Sequence, residues 1–592
     1  MRTAWLLLCL VPGLAAADRY VPGSLEDPYL GSARFMADDE RYYSALAELL
    51  AIPGLLQSGA DTSAQRLLLA ESYLRYGLPA EAEALLPALQ DADPQGRAKL
   101  QLALAAQAYE RGDLPAAAAR LDTLQASLPK PLQPRALDLR SRIHLVQGQY
   151  EEAIALLRTL VRNDEQNAYA RFNLGVALIS SGRARDGREW LDRLGQIRSI
   201  SLEEAALRDK ANLALGWHYL NEDLGSQARE AFERIRVDGP FSNRALLGLG
   251  WAELASQRAP QNPLQPGTGP ASSLSNLGAL LKPGFFEREQ QRRRPRSGDL
   301  PPGALPPAQQ AAFNRALNAW SVLIERDPVD PAVQEASLAV AYALDQLGGG
   351  EQARGYYQRA IQELERNRNR MDAAMASIRS GRMLETIVRR SADSEAGRAW
   401  TLRELPDAPE TYYLQGLIAE HRFQEVLKDY RDTRHLLRRV EDWQQRLARL
   451  RLWEPELERE QATQVGLTLA STRARRPVAA WDLREGLRLA TRLQGPPPRG
   501  TQSAREPGSP LQLQPSPMPT RFNGPLQTLA ERLPGLETLH ASLSTAHRQQ
   551  RRLLEQASLE ELARQKQQVE QYLVEARFAL ARLHDRQSRG RE

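Results

Sequence analysis

The stretch "LGWHYL" occupies Leu215–Leu220, and "LGWAEL" follows at Leu249–Leu254. Gly216 and Gly250 lie 34 residues apart, a spacing that reports a repeated supersecondary unit rather than a local motif. Working outward, Leu174-Gly175 carries the same pair 41 residues before Leu215-Gly216. A second glycine series, Gly77, Gly112, Gly148 and Gly182, advances by 35, 36 and 34. Around each of these glycines an apolar stripe precedes and another follows, as in "RIHLVQGQYEEAIALLRTL". Apolar spacings of three and four within each half predict two amphipathic helices, with the glycine closing the first.

These residues resemble the tetratricopeptide repeat family. "QGQYEEAIALLRTLVRND" supplies Gly148, Tyr150, Ala153 and Leu157 at the family's spacing, and the unit around "LGWHYL" adds Ala228, Phe232 and Pro240. The resemblance spans roughly residues 26–366, and "TYYLQGLIAEHRFQEVLKDYRDT" reads as a degenerate last unit with Gly416 and Phe423. It implies an all-α solenoid of stacked helix pairs, wound as a right-handed superhelix, with a concave groove lined by the first helices. Carried onto this chain, the family register places Arg142, Tyr169, Phe172, Trp217, Arg244 and Trp251 on that groove. Aromatic and arginine side chains are the usual anchors of a binding surface. The competing reading is that Trp217 and Trp251 simply cover core.

The pattern breaks after "LGWAELASQ". The next helical text, "AQQAAFNRALNAWSVLIERDPVDP", supplies the missing second half through Ala316, Trp320, Leu323 and Pro328. One repeat is thus split by an insertion over residues 258–305, rich in Pro, Gly and Arg and unsuited to a core. Within it Leu277, Leu280, Leu281, Phe285 and Phe286 form an apolar cluster that would dock near the groove as a lid or a hook, or leave the segment an inert spacer. Repeats resume over 306–435. Beyond them Leu436, Val440, Trp443, Leu447 and Leu450 step by four and three, as do Val569, Leu573, Ala576, Leu580 and Leu583. That stepping predicts a long-helix, coiled-coil-like C-terminal extension: a helical part over 436–494, a Pro-rich linker over 495–520 and a long helix over 521–592.

At the other end, "MRTAWLLLCLVPGLAAADRY" has one charge at Arg2, a short apolar run and small residues at Ala15 and Ala17. This predicts a signal peptide over 1–17, cleaved near Ala17-Asp18, then repeats over 18–257 and a periplasmic location of the bacterial cell-envelope type. Cys9, the only cysteine, lies in the apolar run, so the mature chain is expected to hold neither disulfide nor thiol chemistry. The formal net charge of +5, with both signs interleaved, calls for no nucleic-acid partner.

None of the seven histidines forms a zinc-binding spacing, and no phosphate-cradling or nucleophile-elbow motif is present. No cofactor or metal is expected, nor a catalytic residue. The sequence reading is a non-enzymatic exported scaffold that binds envelope proteins or peptide segments in the groove. The alternatives are an accessory factor for polysaccharide export or assembly and, less favoured, a solenoid-type cell-wall glycan hydrolase.

Overall fold

The computed structural model describes residues 28–51, 63–89, 94–124, 128–164, 167–198, 201–256, 305–389, 409–463 and 525–589. Among the described residues there are helices and no strands. The helices come in pairs: α1 (Pro28–Asp38) with α2 (Tyr42–Ala51), α3 (Ser63–Tyr76) with α4 (Pro79–Ala84), α5 (Pro94–Glu110) with α6 (Leu114–Leu124). There follow α7 (Gln133–Val146) with α8 (Tyr150–Asn163), α9 (Ala168–Ser180) with α10 (Ala184–Gly195), and α11 (Leu202–Asn221) with α12 (Gly225–Glu233). α13 (Ser242–Ala255) pairs with α14 (Pro307–Ile324), and α15 (Pro331–Gln346) with α16 (Gly350–Arg379).

One backbone device turns the chain inside most pairs. Gly77, Gly112, Gly148, Gly182 and Gly348 all take positive φ after the first helix. The N–H that follows each glycine bonds the carbonyl five residues back: Leu78 to Tyr73, Asp113 to Ala108, Gln149 to His144, Arg183 to Leu178 and Gly349 to Leu344. This bond closes the helix by consuming one of its orphan carbonyls. In the α11–α12 unit the position is held by Asp223, φ 58, and Leu224 still bonds Tyr219. Asp is among the few non-glycine residues that tolerate this conformation. The helix starts are capped less uniformly; Asn167 and Asp330 accept from the first turn, and Ser201 with Glu204 forms a capping box.

The split unit is whole in space. Residues 257–304, including Leu277, Leu280, Leu281, Phe285 and Phe286, lie outside the described residues. Across that gap Trp320 of α14 is fully buried against α13, its Nε1–H donating to the Leu247 carbonyl at 3.1 Å. Arg315 pairs with the buried carboxylate of Glu253 at 2.7 Å.

Past α16 come α17 (Arg382–Arg389), α18 (Pro409–Ile418), α19 (His421–Thr463) and α20 (Pro525–Arg589). α19 runs without a break through residue 435, so the expected boundary between repeats and extension falls inside one helix. The extension is no separate body either. Along α20, Lys566 pairs with Asp372 and Arg577 with Glu365, each at 2.6 Å, so α20 descends antiparallel to α16, while Arg586 pairs with Asp345 of α15, also at 2.6 Å. It runs parallel to α15, where the Tyr572 hydroxyl meets buried Glu335 at 3.2 Å. Antiparallel to a second helix and parallel to the first is the placement that the next unit's first helix would take. α20 therefore ends the stack as that helix, delivered from far downstream in sequence, and covers Leu364, Met371 and Ile378 of α16. Such a terminal cover is what a quasi-one-dimensional solenoid needs. Farther up, α20 lies antiparallel to α19, with His547 stacked on Tyr430 at 4.2 Å and Leu536, Leu539 and Leu543 joining Leu436, Val440 and Leu447.

Burial pushes the Tyr572 phenol well above its ordinary range, so it stays a donor to Glu335. Tyr572→Phe removes that donor from a buried carboxylate, and a stability loss of about 1–3 kcal/mol is expected by chemical denaturation.

Candidate partner-binding face

The first helices of successive units share one side of the stack, and the structure sorts the six expected groove residues along it. Arg142, Tyr169 and Arg244 reach solvent. Arg142 lies with its guanidinium 5.3 Å from the Tyr109 ring centroid and 3.1 Å from Asp138. Burial lifts the Asp138 carboxyl above its usual range and Arg142 opposes the rise. Tyr169 is 52% exposed and its hydroxyl donates to Glu203 of the next unit. Arg244 is exposed, yet desolvation by the surrounding protein holds its guanidinium below the ordinary arginine range, with Asp330 pulling the other way. An accessible side chain that is nonetheless partly desolvated is what a recessed surface produces.

Phe172, Trp217 and Trp251 are corrections to the sequence reading. Each is at most 4% exposed and belongs to the core. Trp217 packs edge-on against Phe232, ring centroids 5.6 Å apart, and Trp251 against Trp320 at 4.8 Å. The cause is the glycine beside them. Gly216 and Gly250 let Phe232 and Trp320 of the second helices come so close that the neighbouring indoles close over those rings instead of standing clear. The register places a residue on a helix face; the neighbour's bulk decides whether that face is open.

Tyr109 and Lys210 escaped the sequence reading. Lys210 Nζ stands 5.2 Å from the Phe172 ring centroid and covers its outer side. Its signal was present: Tyr169, Lys210 and Arg244 each stand six residues before a helix glycine, Gly175, Gly216 and Gly250. With Arg142 and Tyr109 they make a row that mixes two aromatics (Tyr109, Tyr169) with three cations (Arg142, Lys210, Arg244) over α5, α7, α9, α11 and α13. Cation–aromatic pairs of this kind are worth about 0.5–1 kcal/mol at exposed sites and present flat rings with fixed charge to a ligand. Among the described residues no group of three or more His, Cys, Asp or Glu is placed to hold a metal ion, and no helix is long and apolar enough to cross a membrane.

Comparison with known proteins gives one family. The tetratricopeptide repeat profile matches residues 102–168, 139–198 and 213–263. No curated protein matches the chain. Among solved structures it is similar to a monomeric mutant of IFIT1 with Gppp-AAAA, 14% identical over 86% of this chain and 90% of that one, with a TM-score of 0.23. The human IFIT1 dimer with PPP-AAAA is 12% identical over 86% and 89%, also at 0.23. Naa15/Naa10 bound to HypK-THB is 14% identical over 93% and 81%, at 0.24. At such scores the likeness carries nothing about ligand or partner. The profile match and the repeated helix pairing meet in one conclusion: over residues 102–198 and 213–263 this chain carries tetratricopeptide repeats.

Proposed function

We propose that the protein is a non-enzymatic scaffold that captures segments of partner proteins on the face formed by α5, α7, α9, α11 and α13. The carrying observation is the row Tyr109–Arg142, Tyr169, Lys210 and Arg244. These side chains are spaced one unit apart on a rigid stack, which suits an extended segment read at several points rather than a compact ligand held in one pocket. The N-terminal "LLLCLVPGLAAAD" supports export and a periplasmic setting, so the partners would be cell-envelope proteins. Residues 1–17 lie outside the described residues, and the mass of the mature protein, starting at Asp18 or at Met1, decides the point.

The test is a periplasmic pull-down with wild type and the triple variant Arg142→Ala, Tyr169→Ala, Arg244→Ala. All three side chains are at the surface, so stability should stay within about 1 kcal/mol. Capture of the partner should weaken at least tenfold, as expected when exposed anchors are truncated together. Undiminished capture by the variant overturns the assignment of the face. Retention of a glycan instead of a protein, lost in the variant, would assign the same face to polysaccharide export or assembly.

A further inference from the structure

The two ends of the solenoid meet. α19 crosses the first units: Arg439 donates to the Tyr43 hydroxyl at 2.7 Å, Lys428 Nζ stands 5.4 Å from the Tyr76 ring centroid, and Glu425 pairs with Arg111 at 2.8 Å. Half of this seam is apolar, where Leu436, Val440 and Leu447 share a core with Tyr42, Leu46, Leu49 and Leu69. The other half, residues 425–433 of α19, is built of charge. Lys428, Arg431, Asp432 and Thr433 are all less than 10% exposed.

Within that half the cations are already committed. Arg111 takes Glu425, Arg431 takes Asp432 at 2.6 Å, and Lys428 stands 3.0 Å from Asp432. Asp429 is left with the more distant side of Lys428, at 3.6 Å. It also follows Glu425 by one helical turn on the same face, a like-charged pair that disfavours two full charges. Three carboxylates thus compete at the seam, and Asp429, whose side chain is 25% exposed, has the poorest share of the cations.

We infer that the seam is a proton-sensitive clasp: a proton on Asp429 tightens the contact that joins the first units to α19, and its loss slackens that contact. The electrostatics agree in direction. Burial pushes the Asp429 carboxyl up to about 6; Lys428 opposes, Glu425 and Asp432 add to the rise, and Arg111 opposes. A carboxyl whose folded value is raised stabilises the closed seam fully below its unfolded value near 4 and loses that contribution as pH rises through 6. Asp432 behaves oppositely: burial raises it, but Lys428 and Arg431 outweigh burial and hold it low, so it weakens the seam only in stronger acid. His547 on the α20 side is pushed down to about 4 by burial and by Arg434, and stays neutral across the window.

Hydrogen exchange on the full chain tests the clasp. Between about pH 5 and pH 7.5, with intrinsic exchange chemistry corrected, the open population at α3 and residues 421–436 should rise by about tenfold, while α9 and α10 hold steady. Asp429→Asn, nearly isosteric, should stay protected at both pH values. Glu425→Gln removes the like-charged neighbour and should shrink the pH difference severalfold, which gives a second reading that does not depend on Asp429 itself. A wild-type seam indifferent to pH, or an Asp429→Asn chain with the wild-type pH response, overturns the inference.

Discussion

Ending the chain at residue 524 should cost far more helix than the 65 residues of α20 that are removed. Leu536, Leu539, Leu543, Leu554, Leu562, Val569, Tyr572, Leu573 and Leu583 are each at most 3% exposed. At about 1.5–3 kcal/mol per buried large side chain their burial is worth about 14–27 kcal/mol, an upper figure because the unfolded chain also hides some surface. That matches or exceeds the 5–15 kcal/mol net stability of an ordinary domain. The loss is not spread evenly. α16 would bare Leu364, Met371 and Ile378, and α19 would bare Leu436, Val440 and Leu447, while the first units would lose their share of the same core. The cores of α7–α10, made of Ile154, Leu157, Leu174, Leu191 and Leu194, involve nothing from α20. Nearest-neighbour stability in a solenoid then predicts a truncated chain whose middle units persist while both ends fray. Far-UV circular dichroism and limited proteolysis read this directly. A drop in helix signal no larger than α20's own share, with both ends still protease-resistant, would show α20 to be an appendage.

The same helix marks where sequence reading stops. Val569, Leu573, Ala576 and Leu583 announce one apolar face on a long helix, and that was legible. The stepping is equally compatible with a coiled-coil seam and with the first helix of a repeat, because both ask only for a narrow stripe. What the stripe meets is fixed by contacts some 200 residues away, such as Arg577 with Glu365, and no local pattern encodes them. The unit period was legible for the opposite reason. A positive φ after each first helix restricts the residue type at one point per unit, and Gly77, Gly112, Gly148 and Gly182 write it out. The groove falls between. The resembled family's register assigned Arg142, Tyr169 and Arg244 to one face, but whether a side chain there stands free depends on its neighbour's size, as Trp217 and Trp251 show.

Those two tryptophans lead back to the glycines before them, and to the second large effect. Gly250→Ala is expected to destabilise the protein by about 3 kcal/mol, against the general rule that alanine improves a helix interior by up to 1 kcal/mol over glycine. A Cβ on Gly250 would fall well inside van der Waals contact with Cε2 and Nε1 of Trp320. The indole cannot yield. It is fully buried, its N–H is held by the Leu247 carbonyl at 3.1 Å, and Trp251 closes its face 4.8 Å away. Gly216→Ala should behave alike, since its Cβ would stand 2.6 Å from the Phe232 ring. Gly175 offers the contrast. There the Cβ would stand 2.8 Å from Cδ2 and Cγ of Leu191 and 3.2 Å from the Gly187 carbonyl oxygen; a leucine side chain yields more readily than a pinned indole, so a smaller cost of about 1–2 kcal/mol is expected. Gly355, with open space around its Cβ, should gain about 0.5–1 kcal/mol as alanine. Chemical denaturation of the four single variants should rank Gly250 and Gly216 lowest, then Gly175, with Gly355 above wild type. Because Trp320 enters from the far side of residues 257–304, a severe cost at Gly250 also requires α14 to be seated on α13 in solution. A Gly250→Ala chain as stable as the Gly355→Ala chain would mean that the split unit is not joined there.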